Sequence, residues 1–294
     1  MISIIVPSFN ASGTIAGCLV SLLAQETEEP FEVLVVNSSD DDTAALVQRR
    51  YPEVRVIQLP ERAFAGTARN RGAREARGDT LAFIDADCTA PPDWLQRIAA
   101  RLREGHRALG GAIVDGSPTR CSRAEYPLET IDFAPGNALR EVGFVSSANC
   151  AFSRQLFDEH GGFPGIRAGE DMVFCRRLTA AGATLLFDPE IRVAHHNPVR
   201  FGAFVRKQLM HGEHSYNVRR RADLHGSFLS NRLLLPFLLP FFPLIRAVRV
   251  AGRALVLRNG LIRDIMRLFP LFFLGCLCWS AGYARGYAGD LFSR

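Results

Sequence analysis

The chain lacks the cysteine spacing that marks a zinc ribbon or a disulfide framework. It has seven cysteines in 294 residues, and no two of them are spaced C-x-x-C. Structural zinc sites and disulfide scaffolds need paired cysteines, so both are disfavoured and a reducing compartment is expected. The N-terminus also lacks a basic segment, and its short apolar run ends at Pro7, so no signal peptide is predicted.

Lysine is absent from residues 219–294, which carry 12 arginines against 3 aspartates, whereas residues 1–218 carry 23 basic and 27 acidic residues. The basic tail also contains two uncharged apolar runs, at 233–245 and 268–284. A tail that is both basic and apolar favours an anionic membrane surface as its partner, and nucleic acid is not expected.

Short apolar runs alternate with amphipathic stretches through the first 115 residues. Strands are predicted at 3–7, 32–36, 54–59, 80–84 and 108–114, and helices at 14–25, 43–50, 66–77 and 93–104. This order predicts an α/β fold with a mostly parallel sheet flanked by helices. Residues 116–145 lack periodicity and are predicted to be irregular loops. A strand at 145–152, a helix at 171–181, a strand pair at 184–187 and 191–194, and an amphipathic helix at 199–221 are predicted to follow.

The apolar strand at 80–84 ends in Asp85-Ala86-Asp87. Two carboxylates so close together cannot both be buried without partners. At the carboxyl edge of a parallel sheet, where ligands usually bind, they can hold a divalent cation such as Mg²⁺ or Mn²⁺. An isolated D-x-D is also common as a solvated loop, so its context decides.

Four other segments accompany the D-x-D in order along the chain. They are P-S-F-N from Pro7, N-S-S from Asn37, G-T-A-R-N from Gly66 and G-E-D from Gly169. Together, over about residues 2–200, they resemble the family 2 glycosyltransferases. The resemblance implies a GT-A (Rossmann-like) fold, a nucleotide-sugar donor and a metal-dependent transfer that inverts the anomeric configuration.

The resemblance also implies where the donor binds. In that family the ends of the first two strands hold the base and ribose, the arginine of A-R-N holds the nucleotide, and the D-x-D binds metal and donor. In GT-A enzymes a further metal ligand often comes from the strand that ends here at His195. The implied nucleotide-sugar residues are Pro7, Ser8, Asn37, Ser38, Ser39, Arg69 and Asp85. The implied ligands of Mg²⁺ or Mn²⁺ are Asp87, Asp85 and His195.

The acidic pair before the late helix is the implied catalytic site. The resemblance makes Asp171 the base that deprotonates a hydroxyl of a glycan or lipid-linked acceptor, with Glu170 beside it. It places Asn149 on the acceptor side. The helix dipole alone also favours acidic residues at a helix start, so the pair by itself does not prove catalysis.

The second strand ends in a departure from the family pattern. Asn37 and Ser38 stand where an aspartate usually contacts the base. Asparagine can both donate to and accept from a base, so a UDP-sugar is predicted, and GDP- or dTDP-sugars stay open.

The segment from Lys207 to Gly212 lacks the Q-x-x-R-W of processive synthases, which predicts transfer of a single sugar. Two other functions are left open. A sugar-phosphate nucleotidyltransferase is disfavoured because the loop after the first strand has one glycine and no basic residue. A non-catalytic membrane-tethered scaffold is disfavoured because the D-x-D and Asp171 are intact.

The tail completes a division into a GT-A catalytic domain (1–198), an amphipathic connecting helix (199–225) and a membrane-associated region (226–294). The run at 233–245 is too short to span a bilayer, and its three prolines should break a helix, so it is predicted to be re-entrant or interfacial. The run at 268–284 is at the lower limit for crossing. The arginines between them should stay on anionic lipid at the cytoplasmic side. The predicted location is the cytoplasmic membrane with the catalytic domain facing the cytoplasm, and a homodimer is left open.

Overall fold

The computed structural model describes residues 1–117, 119–196, 200–221, 231, 234–257 and 260–292. The chain forms two compact units. We call Met1–Gly116 together with Asn137–His196 the sheet unit, and Ser117–Gly136 together with Asn197–Arg294 the helical unit. Residues 117–136 therefore group with the C-terminal region, whereas the sequence predicted three consecutive regions.

The sheet unit is built on one mixed sheet. Its strands are β1 (Ile2–Ser8), β2 (Phe31–Asn37), β3 (Arg55–Gln58), β4 (Thr80–Ile84), β5 (Cys88–Thr89), β6 (Ala108–Asp115), β7 (Arg140–Val142), β8 (Asn149–Ser153) and β9 (Leu185–His195). Their order is β3-β2-β1-β4-β8-β6-β9-β5, and β7 also pairs with β9. The first four strands are parallel to one another. Strand β8 is antiparallel to both neighbours, β4 and β6, and β6 runs parallel to β9.

Helices cover the sheet because their apolar faces need burial. They are α1 (Ile15–Leu23), α2 (Thr43–Arg50), α3 (Ala65–Glu75), α4 (Trp94–Arg103), α6 (Arg154–Glu159) and α7 (Glu170–Ala180). The centre of the core is a group of five phenylalanines in mutual ring contact, namely Phe83, Phe152, Phe157, Phe163 and Phe174. Because these rings come from β4, β8, α6, α7 and the loop before α7, the core fixes α7 against the sheet.

Two sequence predictions of local structure are corrected. Residues 116–145 are not all loop, because α5 (Arg120–Thr130) and β7 form within them. Helix α5 contains Pro127 and begins with a hydrogen bond from the Ser122 N–H to the Thr119 hydroxyl, a side-chain cap. The strand pair at 184–187 and 191–194 is one strand, β9, whose register against β6 skips from Asp188 to Arg192. Such an irregularity bends a strand without ending it.

The helical unit contains α5, a 3₁₀ turn (Ile131–Phe133), α8 (Phe201–Arg221), α9 (Leu235–Leu238), a 3₁₀ turn (Leu239–Phe241), α10 (Phe242–Leu257), α11 (Leu261–Arg267) and α12 (Phe269–Phe292). The run at 233–245, which the prolines were predicted to break, is helical from Leu235 onward but is divided into short pieces. Pro236, Pro240 and Pro243 each stand second in one of three successive helical pieces. A proline costs little there, since first-turn N–H groups have no partner within the helix. Residues 235–257 thus form one helical segment, and the predicted start of the helix at 199 lies outside the described residues.

Helices α8 and α12 approach each other through glycines. A Cβ added at Gly212 would lie 1.9 Å from the carbonyl oxygen of Trp279, and one added at Gly282 would lie 1.9 Å from that of Leu209. Each helix thus places a glycine against the backbone of the other, which only a residue without a side chain allows.

Candidate active site

The carboxyl edge of β1 and β2 carries the predicted base and ribose residues. Pro7 is half-buried, and Ser8 is buried with its Oγ lacking a hydrogen-bond partner among the described residues. Asn10 follows with a φ of 53°, a left-handed turn that asparagine tolerates. Phe9, between them, is 41% exposed and has the Arg62 guanidinium 4.3 Å above its ring. The edge thus presents one buried hydroxyl and one exposed aromatic face.

Asn37, which was predicted to contact the nucleotide base, lies at the end of β2 with its side chain turned into the protein. Its side chain is fully buried, and its amide nitrogen donates to the Ser39 carbonyl and to Gln58 Oε1, both at 2.9 Å. Its amide oxygen accepts from the Ser39 hydroxyl at 3.0 Å. Because both ends of the amide are hydrogen-bonded, the Asn37 side chain shapes the loop after β2, and its role in holding a base stays a prediction. Ser38 is also buried; its backbone N–H donates to the Ser8 carbonyl at 3.0 Å, and its hydroxyl lies 3.5 Å from the carbonyls of Ser8 and Ala63.

Asp41, which the sequence analysis did not single out, organises this edge. Its carboxylate accepts hydrogen bonds from the hydroxyls of Ser39 and Thr43 and from the backbone N–H of Thr43 and Ser12. Burial opposes its ionisation, but these four bonds lower the pKa of Asp41 to about 2. A carboxylate that is ionised at neutral pH thus ties the loop after β1 to the loop after β2.

Arg69 joins the D-x-D to the acidic pair of α7. Its guanidinium is nearly fully buried and lies 2.5 Å from Asp85 Oδ1 and 2.8 Å from Glu170 Oε1. Burial would lower the pKa of Arg69, but the two carboxylates raise it above its ordinary value. The Nε of Arg69 is buried and has no hydrogen-bond partner in the described structure. Residues 85 and 170, far apart in sequence, are therefore held in one ion-paired cluster.

Glycine and asparagine of the G-T-A-R-N segment position this cluster. A Cβ at Gly66 would lie 2.9 Å from Glu170 Cγ, so only glycine lets α3 approach the start of α7. Asn70 donates to the Phe163 carbonyl at 2.6 Å and accepts from the Phe163 N–H at 2.9 Å. These two bonds fix the loop that leads to α7, and with it the acidic pair.

Asp171 lies beside the cluster with its own partners. Its Oδ2 accepts from the backbone N–H of Ser147 at 3.1 Å and from the Ser147 hydroxyl at 3.3 Å, and its Oδ1 accepts from the Met172 N–H. Burial raises the pKa of Asp171 above its ordinary value, although these bonds and Arg69 oppose the shift. Burial and then the neighbouring Asp171 also raise the pKa of Glu170. A carboxylate with a raised pKa accepts a proton more readily at neutral pH.

Asn149 lies buried in the sheet unit, and its predicted role on the acceptor side stays a prediction. It is fully buried, and its amide nitrogen donates to the carbonyls of Ala112 and Ile191 at 2.9 and 2.8 Å. Its oxygen accepts from the indole N–H of Trp94, which is also fully buried. The amide thus connects β8 to β6, β9 and α4. The residue of the S-S-A-N segment (146–149) that contacts the candidate site is Ser147, which donates two hydrogen bonds to Asp171.

Strand pairing brings His195 to Asp87. Strand β5 follows the D-x-D and pairs antiparallel with the end of β9, so that Cys88 lies opposite His195. His195 Nε2 is 3.1 Å from Asp87 Oδ2, and both side chains are about one-third exposed. His196 is turned elsewhere, with its Nε2 2.8 Å from the Thr89 hydroxyl. Of His195 and His196, the pairing of β5 with β9 therefore brings only His195 next to Asp87.

The donor set fits a divalent cation. Ligand atoms of Asp87, Cys88 and His195 all lie within 4.8 Å of one another. Two ligands at right angles about a metal with bonds of roughly 2.1 Å lie about 3 Å apart, which matches the His195–Asp87 separation. Burial and the two aspartates raise the pKa of the Cys88 thiol well above its ordinary value, and Mn²⁺ and Mg²⁺ prefer oxygen ligands to a thiolate. Carboxylate and imidazole are then the available ligands, a set that suits Mn²⁺ or Mg²⁺.

Known proteins with related sequences include a glycosyltransferase and a succinoglycan biosynthesis protein. The chain is 26% identical over 220 residues to glycosyltransferase AglE of Haloferax volcanii, a match that covers 72% of each chain. It is 29% identical over 221 residues to succinoglycan biosynthesis protein ExoO of Rhizobium meliloti, covering 70% of this chain and 62% of that protein.

Solved structures share the fold. A mannosyltransferase of Pyrobaculum calidifontis, solved with GDP-Man and Mn²⁺, superposes with a TM-score of 0.66 at 20% identity, covering 97% of this chain and 86% of that one. The 1–349 fragment of S. aureus TarS, solved with UDP-GlcNAc, gives a TM-score of 0.54 at 19% identity and covers 99% of this chain and 91% of that one.

The model of the family described as "Glycosyl transferase family 2" matches residues 3–161, a stretch that includes all the site residues named above up to the loop before α7. This is more than half of the chain. The match, the related sequences and the GT-A fold of the structural neighbours together establish that the chain belongs to glycosyltransferase family 2.

Proposed function

We propose that the protein is a metal-dependent, inverting glycosyltransferase that moves one sugar from a nucleotide-sugar donor to a hydroxyl of a glycan or lipid-linked acceptor. The observation that carries this proposal is the Arg69 bridge between Asp85 and Glu170, with Asp171 adjacent. It joins the D-x-D carboxylates to a carboxylate with a raised pKa, and these are the two groups that a single displacement needs.

In the proposed reaction, Asp171 accepts the proton of the acceptor hydroxyl. The acceptor oxygen forms a bond to the anomeric carbon while the bond from that carbon to the donor's diphosphate oxygen breaks. The electron pair of the broken bond leaves with the nucleoside diphosphate, and attack from the opposite face inverts the configuration. Ser147 orients Asp171 through its two hydrogen bonds, and Arg69 holds Asp85 and Glu170 in place.

Asp87 and His195, with Asp85, would hold Mg²⁺ or Mn²⁺. The bound cation supplies positive charge to the developing diphosphate. A related fold that binds GDP-Man and Mn²⁺ supports a divalent metal and a nucleotide-sugar donor. We propose a UDP-sugar as donor. Structures solved with UDP-GlcNAc and with GDP-Man both resemble this chain, so the identity of the nucleotide base needs a direct binding test.

The proposed location is the cytoplasmic face of a membrane, with a role in cell-surface polysaccharide or glycolipid synthesis. Two observations support it. The described part of the chain has one helix long and apolar enough to cross a membrane, 235–257, and a related sequence is named for succinoglycan biosynthesis.

The proposal is tested with the purified full-length chain and a panel of UDP-, GDP- and dTDP-sugars in the presence of Mn²⁺. A donor that binds the folded state raises the melting temperature. Release of nucleoside diphosphate upon addition of acceptor extracts measures transfer. Release of pyrophosphate from a nucleoside triphosphate and a sugar phosphate would instead indicate a nucleotidyltransferase, and donor binding without any turnover would indicate a scaffold.

The metal role has its own variant. Asp87→Asn should lower transfer at least ~100-fold, the scale seen when a principal electrostatic stabiliser is removed, and EDTA should have the same effect on the wild type. Asp79→Asn is the matched control, because its side chain is 92% exposed and lies outside the site. Full activity in EDTA would contradict the metal role.

A further inference from the structure

The outward face of segment 235–257 is apolar along its whole length. Its exposed side chains include Phe237 (76% exposed), Phe241, Leu244, Val248 (64%), Leu255 and Val256 (70%). Within α10, at 100° per residue, Leu244, Val248, Leu255 and Val256 fall within an arc of about 120°. Only 22% of the most apolar 18 residues of this segment are buried. An exposed apolar stripe of this length, on a described fold that leaves it uncovered, is unusual for a protein surface in water.

The other face of the segment packs within the helical unit. Phe242 contacts the rings of Trp279 and Tyr283 on α12, at centroid distances of 6.4 and 5.2 Å. Further along, Ala247, Val250 and Ala254 are buried. The segment is therefore two-sided, with one apolar face inside the protein and one outside.

Helices α8 and α12, which pack beside the segment, carry exposed charged side chains near the point where they contact it. These charges argue that the segment does not cross a bilayer. Tyr283, which contacts Phe242, also contacts Tyr216 of α8 at 5.4 Å. Close to this contact, Arg285 is 74% exposed and pairs with Glu213, and Arg220 is 45% exposed and pairs with Asp290. If the segment crossed a bilayer, α8 and α12 would carry these exposed charges into hydrocarbon at a cost of several kcal/mol.

Exposed arginines lie on the segment and on the helix that follows it. Arg249, on the edge of the apolar arc, is 66% exposed, and its nearest acidic oxygen, on Asp132, is 3.8 Å away. Beyond the segment, Arg263 and Arg267 of α11 are exposed, as is Met266 between them (71%). Cations beside an apolar stripe complement the anionic headgroups that surround acyl chains.

We propose that segment 235–257 is a monotopic docking helix that lies in the plane of an anionic bilayer, with its stripe among the acyl chains and Arg249, Arg263 and Arg267 at the lipid phosphates. The occupant of the stripe is the bilayer itself. This inference is independent of the transfer reaction, since it rests on the helical unit alone.

Binding is tested by flotation of the full-length protein with vesicles of phosphatidylcholine, with and without about 30% phosphatidylglycerol. We expect flotation with the anionic vesicles, and a loss of at least ~10-fold in the bound fraction when salt is raised or when Val248→Asp is introduced. Val20→Asp is the matched control, because Val20 is 57% exposed on α1 of the sheet unit. Equal flotation of wild type and Val248→Asp, or equal binding to neutral vesicles, would overturn the proposal.

Orientation is tested separately, with protein added to preformed vesicles. Leu234→Cys and Met266→Cys place thiols before and after the segment, and labelled peptides are identified by mass spectrometry so that native cysteines do not interfere. An impermeant thiol reagent should label both positions without vesicle lysis. Protection of either position until lysis would show that the segment crosses. Retained donor-induced thermal shifts establish that each variant is folded.

Discussion

Both units bury ionisable groups, but they use them differently. In the sheet unit, Arg69 pairs with Asp85, whose side chain is 31% exposed, so the cluster opens onto the carboxyl edge of the sheet. In the helical unit, Lys207 bridges Glu125 and Glu129 at 2.8 and 2.9 Å, and those carboxylates are 4% and 19% exposed. We propose that the first cluster offers oxygen ligands and a proton acceptor to the substrates, whereas in the second the two carboxylates are buried and only Lys207, 26% exposed, reaches the surface. A buried ion-paired cluster that also reaches solvent can bind a ligand, whereas one enclosed by the protein only stabilises the fold.

The largest effect is expected from Asp171→Asn, which tests whether the cluster in the sheet unit is catalytic. The amide cannot accept the acceptor's proton, so transfer should fall by about 10²–10⁴-fold. Donor affinity, measured by titration calorimetry with Mn²⁺, should stay within about 2-fold, because the base faces the acceptor. A collapse of donor affinity would instead assign Asp171 to the donor site.

Lys207→Met tests the closed cluster in the helical unit. It removes the ammonium group shared by two buried glutamates, leaving His211 3.5 Å from Glu129, and should lower the free energy of unfolding by about 3–5 kcal/mol, measured by urea denaturation. Burial and Glu129 already raise the pKa of Glu125 to about 8. Since this folded pKa lies above the unfolded value, the ionised form opposes folding, and the loss should be larger at pH 9 than at pH 6.

Arg206→Met is the control for Lys207→Met, because Arg206 is an exposed neighbour on the same helix. Donor binding by the sheet unit should not change in either variant. A loss of donor affinity in Lys207→Met with an unchanged unfolding transition would indicate that the closed cluster serves the ligand.

Gly282→Ala tests the close packing of α12 on α8. A methyl group 1.9 Å from the Leu209 carbonyl oxygen must push the helices apart, at a cost of about 1–3 kcal/mol of unfolding free energy. Gly289→Ala on the same helix meets nothing within 4 Å and should be neutral or stabilise by up to about 1 kcal/mol. Equal melting temperatures of the two variants would contradict the packing argument.

Ser147→Ala tests the base more gently. The Ser147 hydroxyl stabilises the ionised form of Asp171, so its removal should raise the pKa of that carboxyl further. The acidic limb of the kcat/KM profile should therefore move to higher pH, by less than about one unit, because the backbone N–H bond remains. Ser146→Ala is the neighbouring control. A shift to lower pH would show that Asp171 is not the titrating base.

The parallel half of the fold was predictable from sequence, and part of the remainder was not. Strands β1, β2 and β4 are apolar runs that are largely buried, whereas β3, at the edge of the sheet, is only partly buried, and the pattern located each of the four within a few residues. Helix α5 was missed because residues 116–145 show no clear periodicity, whereas in the structure its neighbours pack it within the helical unit. The prolines of segment 235–257 divide the helix into pieces without ending it, since each falls in a first turn where its missing N–H costs nothing.

The sequence alone determined the family, the α/β class and the order of the acidic motifs, because these depend on local pattern and on residue types that chemistry restricts. Only the tertiary structure decided which polar groups are free. It buries both ends of the Asn37 amide and all of Asn149, and it makes Asp41 a four-bond anchor. It also pairs His195 with Asp87 through strand register. A sequence motif shows which donors and acceptors are present. Which of them already have hydrogen-bond partners depends on the residues that surround them in the folded protein, and only the structure shows these.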